Sequence, residues 1–157
     1  MADECVNMLN LYTEDEKVFA LLGEIFGEDN PAYRLSQETG QYSGSKWIQI
    51  QEALPGKEGD TFELCLYFLS AWVPPLEGVA ALWSKLNGAF DFLYTYRVIS
   101  FDTFAGACQV VNGEVRYHQI PIDPDDHDSE DDLDDALDFA EGAAVDLLDK
   151  GGGEAVL

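Results

Sequence analysis

Carboxylates are the residues with which this chain could do chemistry, and their spacing is the first clue. Thirteen of its 31 acidic residues lie between Asp123 and Asp149, a stretch without Lys or Arg. Asp131, Asp134, Asp135, Asp138 and Glu141 recur there at i, i+3, i+4 and i+7. On a helix that pattern sets side chains one turn apart, about 5–6 Å. DNA carries a charge every ~1.7 Å of duplex axis, so such carboxylates can occupy Lys and Arg sites that normally hold a phosphate backbone. With Asp125, Asp126, Asp128, Glu130 and Asp132, and with body acids such as Glu14, Asp15, Glu24, Glu28 and Asp29, they form a candidate partner-binding surface. The chemistry is charge complementarity with a basic protein.

The totals agree. Eight Lys plus Arg against 31 acids leave a net charge of −23. Residues 1–122 hold 17 acids and seven bases; residues 123–157 hold 14 acids and Lys150. Such a surface repels nucleic acid and anionic membranes, which excludes both as direct partners. Three other readings of the acidic stretch are a solvated charge run, a cover for the protein's own body, and a metal site. The metal reading fails on detail. Asp126–Glu130 alternates like an EF-hand loop, but Asp131 stands where Gly is needed and Leu137 where Glu is needed. His118 and His127 have no partner at zinc-like spacing.

No P-loop, Gly-x-Ser-x-Gly, Gly-x-Gly-x-x-Gly or His-Glu-x-x-His occurs. Glu63 reads as a partly exposed strand carboxylate. The expectation is a protein that is not an enzyme and has no catalytic residue, metal or cofactor. Trp47, Tyr67, Phe92, Tyr94 and Tyr96 could stack bases as an RNA platform, but bases are too sparse, so they read as core or partner-facing. Cys5, Cys65 and Cys108 are odd in number and not closely spaced, which predicts buried, reduced thiols. Asp3 and Glu4 stand where a leader's basic region would be, and no stretch approaches 18 apolar residues. The expected location is the cytoplasm.

These side chains must be positioned by regular elements. Residues 5–12 alternate as a strand. Thr13-Glu14-Asp15-Glu16 reads as a capping box for a helix carrying Val18, Leu21, Leu22, Ile25 and Phe26 and ended by Gly27. Residues 28–45 read as a loop, Lys46–Gln51 as a short strand, and 54–60 as a turn. Thr61–Ser70 is apolar on both faces, which predicts a doubly covered central strand. Pro74-Pro75 starts a second helix with Leu76, Val79, Ala80, Trp83 and Leu86 on its stripe. Strands follow at 90–99, 102–111 and 114–120, the last two joined by an Asn112-Gly113 hairpin. A final helix over 129–149 carries Leu133, Leu137, Ala140, Ala144 and Leu147 on one stripe. The closing Gly-Gly-Gly reads as frayed. The order predicts an α+β, ferredoxin-like (split βαβ) antiparallel sheet with helices on one face. Its domain is residues 1–122, followed by an acidic C-terminal segment, 123–157.

Four short motifs carry a resemblance. Cys5-x-Asn7-x-Leu9-x-Leu11, Gly44-Ser45-Lys46-Trp47, Ala71-Trp72-Val73-Pro74-Pro75 and Phe104-Ala105-Gly106 resemble, in order, segments of the YubB-type ferredoxin-like proteins of plasmids and phages. Glu4 and Tyr42-Ser43 depart from that pattern, and the acidic segment lies outside it. The resemblance implies the fold and a mobile-element origin, and no catalytic activity. The expected function is therefore an acidic, DNA-mimic-like protein that inhibits a host nucleic-acid-binding defence protein, such as a restriction or CRISPR effector. The alternatives are an acidic adaptor or assembly partner of a basic mobile-element protein and an enzyme with scattered carboxylates; the leucine stripe of the last helix is expected to dock on the body or on a second copy, as a homodimer.

Overall fold

The computed structural model describes residues 4–100, 102–123, 125 and 129–157. In chain order the elements are β1 (Glu4–Thr13), α1 (Glu16–Phe26), α2 (Pro31–Thr39), β2 (Ile48–Glu58), β3 (Thr61–Ala71) and α3 (Leu76–Lys85). Then come β4 (Asp91–Val98), β5 (Phe104–Val111), β6 (Glu114–Pro121), α4 (Glu130–Asp149) and β7 (Glu154–Ala155). The described residues form an α+β structure with one seven-stranded antiparallel sheet in the order β2-β3-β1-β4-β5-β6-β7.

Alternation along the strands sorts side chains to two faces. Cys5, Leu9 and Leu11 of β1, Leu64, Leu66 and Phe68 of β3, and Tyr94, Tyr96 and Val98 of β4 point to one of them. Leu22, Ile25 and Phe26 of α1, Leu35 of α2, and Val79 and Leu82 of α3 close over it. The two expected helices thus share a face. Within this core Asn7 is buried, and its amide nitrogen donates to the carbonyls of Cys5 and Phe68 and to Ser70 Oγ. The Tyr94 hydroxyl donates to Asn7 Oδ1 at 2.5 Å. Burial pushes the Cys5 thiol up to about 12 and raises Cys108 further. Both are inert at neutral pH; Cys65 is only partly buried.

Several local expectations are corrected. Asp15, not Thr13, caps α1, accepting from the amides of Lys17 and Val18; Thr13 is occupied with the Asp15 amide and the Ala89 carbonyl. The supposed loop contains α2, which has ordinary helix punctuation: Asn30 caps it, Pro31 opens it and Gly40 ends it at φ 74°. Residues 54–58 continue β2, and the turn is confined to Gly59 and Asp60. Pro55 is tolerated because β2 is an edge strand. The hairpin at Asn112-Gly113 has φ of 52° and 78°, as expected. Trp83 is only partly buried, and its indole N–H has no partner among the described residues.

The second face is different. There α4 lies over β5 and β6, with Leu137, Ala140, Ala144 and Leu148 buried against Ala105, Ala107 and Val111. Leu148 takes the place expected of Leu147, which is 38% exposed. The triple glycine is ordered. It reverses the chain from α4 into β7, with φ of 86° at Gly151 and 92° at Gly153. A Cβ on Gly153 would stand 2.9 Å from the Tyr117 carbonyl oxygen, at a positive φ that disfavours other residues. Residues 130–149 and 154–155 therefore add a helix and an edge strand to the same sheet.

Candidate partner-binding surface

The acidic helix starts where the sequence places it. Ser129 Oγ accepts from the Asp132 amide at 3.2 Å, and Glu130, Asp131 and Asp132 fill the first turn. Acids there complement the helix dipole. Two leucines and two alanines then hold the helix against the sheet. Small residues on both sides, Ala105 and Ala107 below and Ala140 and Ala144 above, permit close approach.

A third fastening is ionic and was missed in the sequence. Arg97 of β4 lies on the α4 side of the sheet. Its Nε meets Glu141 at 2.9 Å, one Nη meets Asp138 at 2.5 Å, and the other reaches Asp134 at 4.0 Å. Burial acts to lower the Arg97 pKa, but the hydrogen bonds it donates to Glu141 and Asp138 reverse that and leave it above its ordinary value. The signal was a cation at an alternating position of a strand whose other face, Phe92, Tyr94, Tyr96 and Val98, is apolar and aromatic.

This splits the expected array. Asp134, Asp138 and Glu141 lie on the edge of α4 that meets Arg97. Asp131 and Asp135 are exposed, as are Glu130 and Asp132 at the start of the helix. At 100° per residue, Asp131, Asp135 and Asp146 share the outer ridge with Phe139. Asp125 is exposed, with its amide held by the Asp123 carboxylate. Asp126 and Asp128 lie outside the described residues. Phe139 is 79% exposed, the most exposed large apolar side chain among the described residues. It too was missed, although it falls two residues off the Leu137 stripe and had no place in a core.

The body acids divide similarly. Arg34 binds Glu24, Glu28 and Glu38 at 2.8–3.0 Å, which ties Glu24 and Glu28 to one shared guanidinium and leaves the group net negative. Asp15 is engaged as a cap, while Glu14 and Asp29 are exposed. Of the five aromatics, Phe92, Tyr94 and Tyr96 are core, Trp47 is half-buried, and Tyr67 is 38% exposed on the α4 side of the sheet. They make no common platform. Among the described residues no group of three or more His, Cys, Asp or Glu is placed to hold a metal ion, and no helix is long and apolar enough to cross a membrane.

In comparisons with known proteins, no family model, curated protein or solved structure matches the chain.

Proposed function

We propose that this is a non-enzymatic, acidic cytoplasmic protein that binds the basic surface of a nucleic-acid-binding protein through the outer ridge of α4. The observation that carries the reading is the docking of α4 by Leu137, Ala140, Ala144 and Leu148. A solubilising tail has no need of a fixed seat; a mimic of a phosphate backbone does. Docking holds Asp131, Asp135 and Asp146 in a set array, with the exposed Phe139 among them as an apolar anchor. Occupancy of Lys and Arg sites would compete with nucleic acid, be accelerated by long-range attraction, and weaken with salt. A host restriction or CRISPR effector fits as the target class.

The finer fold reading belongs to the same proposal. The order β2-β3-β1-β4, with α1 and α3 on one face, supports a ferredoxin-like split βαβ plan extended by β5, β6 and β7. The residues of the motifs that resemble YubB-type proteins have structural roles in this fold. Asn7 knots β1 to β3 and β4. Ser45 Oγ accepts from the Ala71 amide and shares its single proton between the Trp47 and Ala71 carbonyls. Gly106 lies where a Cβ would meet the His118 carbonyl oxygen at 2.6 Å and the Tyr96 hydroxyl at 2.8 Å.

The test is displacement. A labelled short DNA duplex is bound to protamine, and its anisotropy is followed as this protein is added at low and high salt. The reading expects release at low salt, suppressed at high salt and weakened by Phe139→Ser. Failure to release the duplex at low salt contradicts it.

A further inference from the structure

Among the described residues, the α4 side of the sheet is only half covered. Beyond Arg97, pairing places four rows of side chains across β4, β1, β3 and β2. The row next to Arg97 runs through Val6, Leu69 and Gln49, and the next through Thr95, Met8, Tyr67 and Glu52. Val6 is 50% and Tyr67 38% exposed, and the expectation that β3 is covered on both faces fails here. A groove of about 250 Å³ runs between this face and α4. Val6, Met8 and Tyr67 line it, and Arg97 and Glu141 stand on its α4 side.

We infer that this groove seats a cationic amphipathic helix of the partner, its apolar stripe on Val6, Met8 and Tyr67 and its Lys or Arg side chains against α4. Width is the first argument. The uncovered strands β1, β3 and β2 span about 10–14 Å at ~4.8 Å per strand, room for one helix of ~10–12 Å diameter beside α4. Charge is the second. Asp134, Asp138 and Glu141 share a single guanidinium, which leaves this edge of α4 negative, and Glu52 and Glu63 stand among the opposite rows. A second copy would bring another −23 and a like-charged helix, so self-association on this face is opposed. An apolar floor between acidic edges fits a stripe flanked by bases.

The inference rests on the reading that the partner is basic, and it adds where and in what form the partner binds. Two peptides of about 18 residues, long enough for ~5 turns, separate the two ideas. One is a Leu/Lys sequence with leucines on a single helical face; the other has the same composition scrambled. Calorimetric titration is expected to show the amphipathic peptide binding about tenfold tighter, and Tyr67→Ser with Val6→Thr should abolish that preference. In case the double variant does not fold, a spin label on the peptide should broaden the methyl signals of Val6, Met8 and Leu69 in the wild-type protein. Equal binding of both peptides, a preference that survives the substitutions, or broadening elsewhere overturns the groove. So does a concentration-dependent dimer dispersed by the same substitutions. If both peptides bind equally and lose affinity when the acids of α4 are neutralised, the broader function stands and the groove falls. If neither peptide binds at low salt, both fall.

Discussion

On one face of the sheet α1, α2 and α3 close over Leu9, Leu66, Tyr94 and Tyr96; on the other, α4 lies over Ala105 and Ala107 and, among the described residues, leaves Val6 of β1, Tyr67 of β3 and Leu54 of β2 exposed. The first layer is built from large side chains and a buried polar knot around Asn7. The second has two leucines, small-residue contacts and one arginine shared by three carboxylates. Hydrophobic stabilisation scales with apolar area removed from water, so the first layer carries the fold. The second carries a charged element at modest cost to a chain that repels itself. The bulk of the core is separated from the acidic helix proposed as the partner-binding surface, and each can be perturbed alone.

The largest test of that division is Leu66→Ala. Leu66 is fully buried in the thick layer. Its truncation should cost about 3–5 kcal/mol in urea melts and lower protection in every element together. Leu137→Ala should cost less, about 2–4 kcal/mol, and should act locally. Hydrogen exchange should rise in α4 and β7 before it rises in α1 or α3. Uniform loss of protection in the Leu137 variant would show that the two layers are one unit.

Alkaline pH probes the thick layer from inside. The folded Cys5 thiol holds its proton up to about pH 12, whereas an unfolded thiol releases it near 9.0. Its contribution is complete below pH 9 and is lost as pH rises through that window, by up to about 1.4 kcal/mol per unit. Tyr94, raised by burial and by the neighbouring Cys5 and Cys108, acts in the same direction. Melts from pH 8 to 12 should show falling stability; a flat profile contradicts the burial of these groups.

Arg97→Met should cost about 1–2 kcal/mol, because Asp134 and Asp138 are largely exposed and only Glu141 is well shielded. Its signature should again be faster exchange in α4. The smallest effect is that of salt on the wild type. Screening a net charge of −23 should raise the melting temperature. A fall on adding salt would mean that the Arg97 and Arg34 clusters outweigh the general repulsion.

Much of this architecture was legible in the residues. Alternation placed β1 and the strands after α3, the Pro-Pro pair placed the start of α3, and Asn112-Gly113 fixed the last hairpin. The α4 stripe was readable because Leu and Ala recur at helical spacing among carboxylates. Other features were hidden for physical reasons. Tyr33 faces outward from α2 and only Pro31, Ala32 and Leu35 are buried, so its nine residues carry few large apolar side chains, and the polar neighbours of Asn30 and Pro31 masked an ordinary cap. The inward leucine near the end of α4 is Leu148 because a straight helix drifts against any fixed spacing. That α4 lies on the face opposite α1 and α3 is a tertiary fact, visible only afterwards in Ala105 and Ala107. Arg97 and Phe139 were the informative residues, one too polar for its strand and the other too apolar for its place on the helix.

The central claim is that position on α4, and not total charge, gives the acidic residues their function. It is tested by two variants of equal net charge. One carries Glu130→Gln, Asp131→Asn, Asp132→Asn and Asp135→Asn on α4; the other carries Glu16→Gln, Asp29→Asn, Glu58→Gln and Asp60→Asn, all exposed and away from that helix. Truncation after Pro124 is a poorer test, since it would bare Ala105 and Ala107 and remove β7. In the protamine displacement assay the α4 variant should lose at least about tenfold in potency, roughly 1.4 kcal/mol, while the distal variant stays within about twofold of wild type. Equal losses in the two variants would show that diffuse charge is sufficient, and would contradict the account.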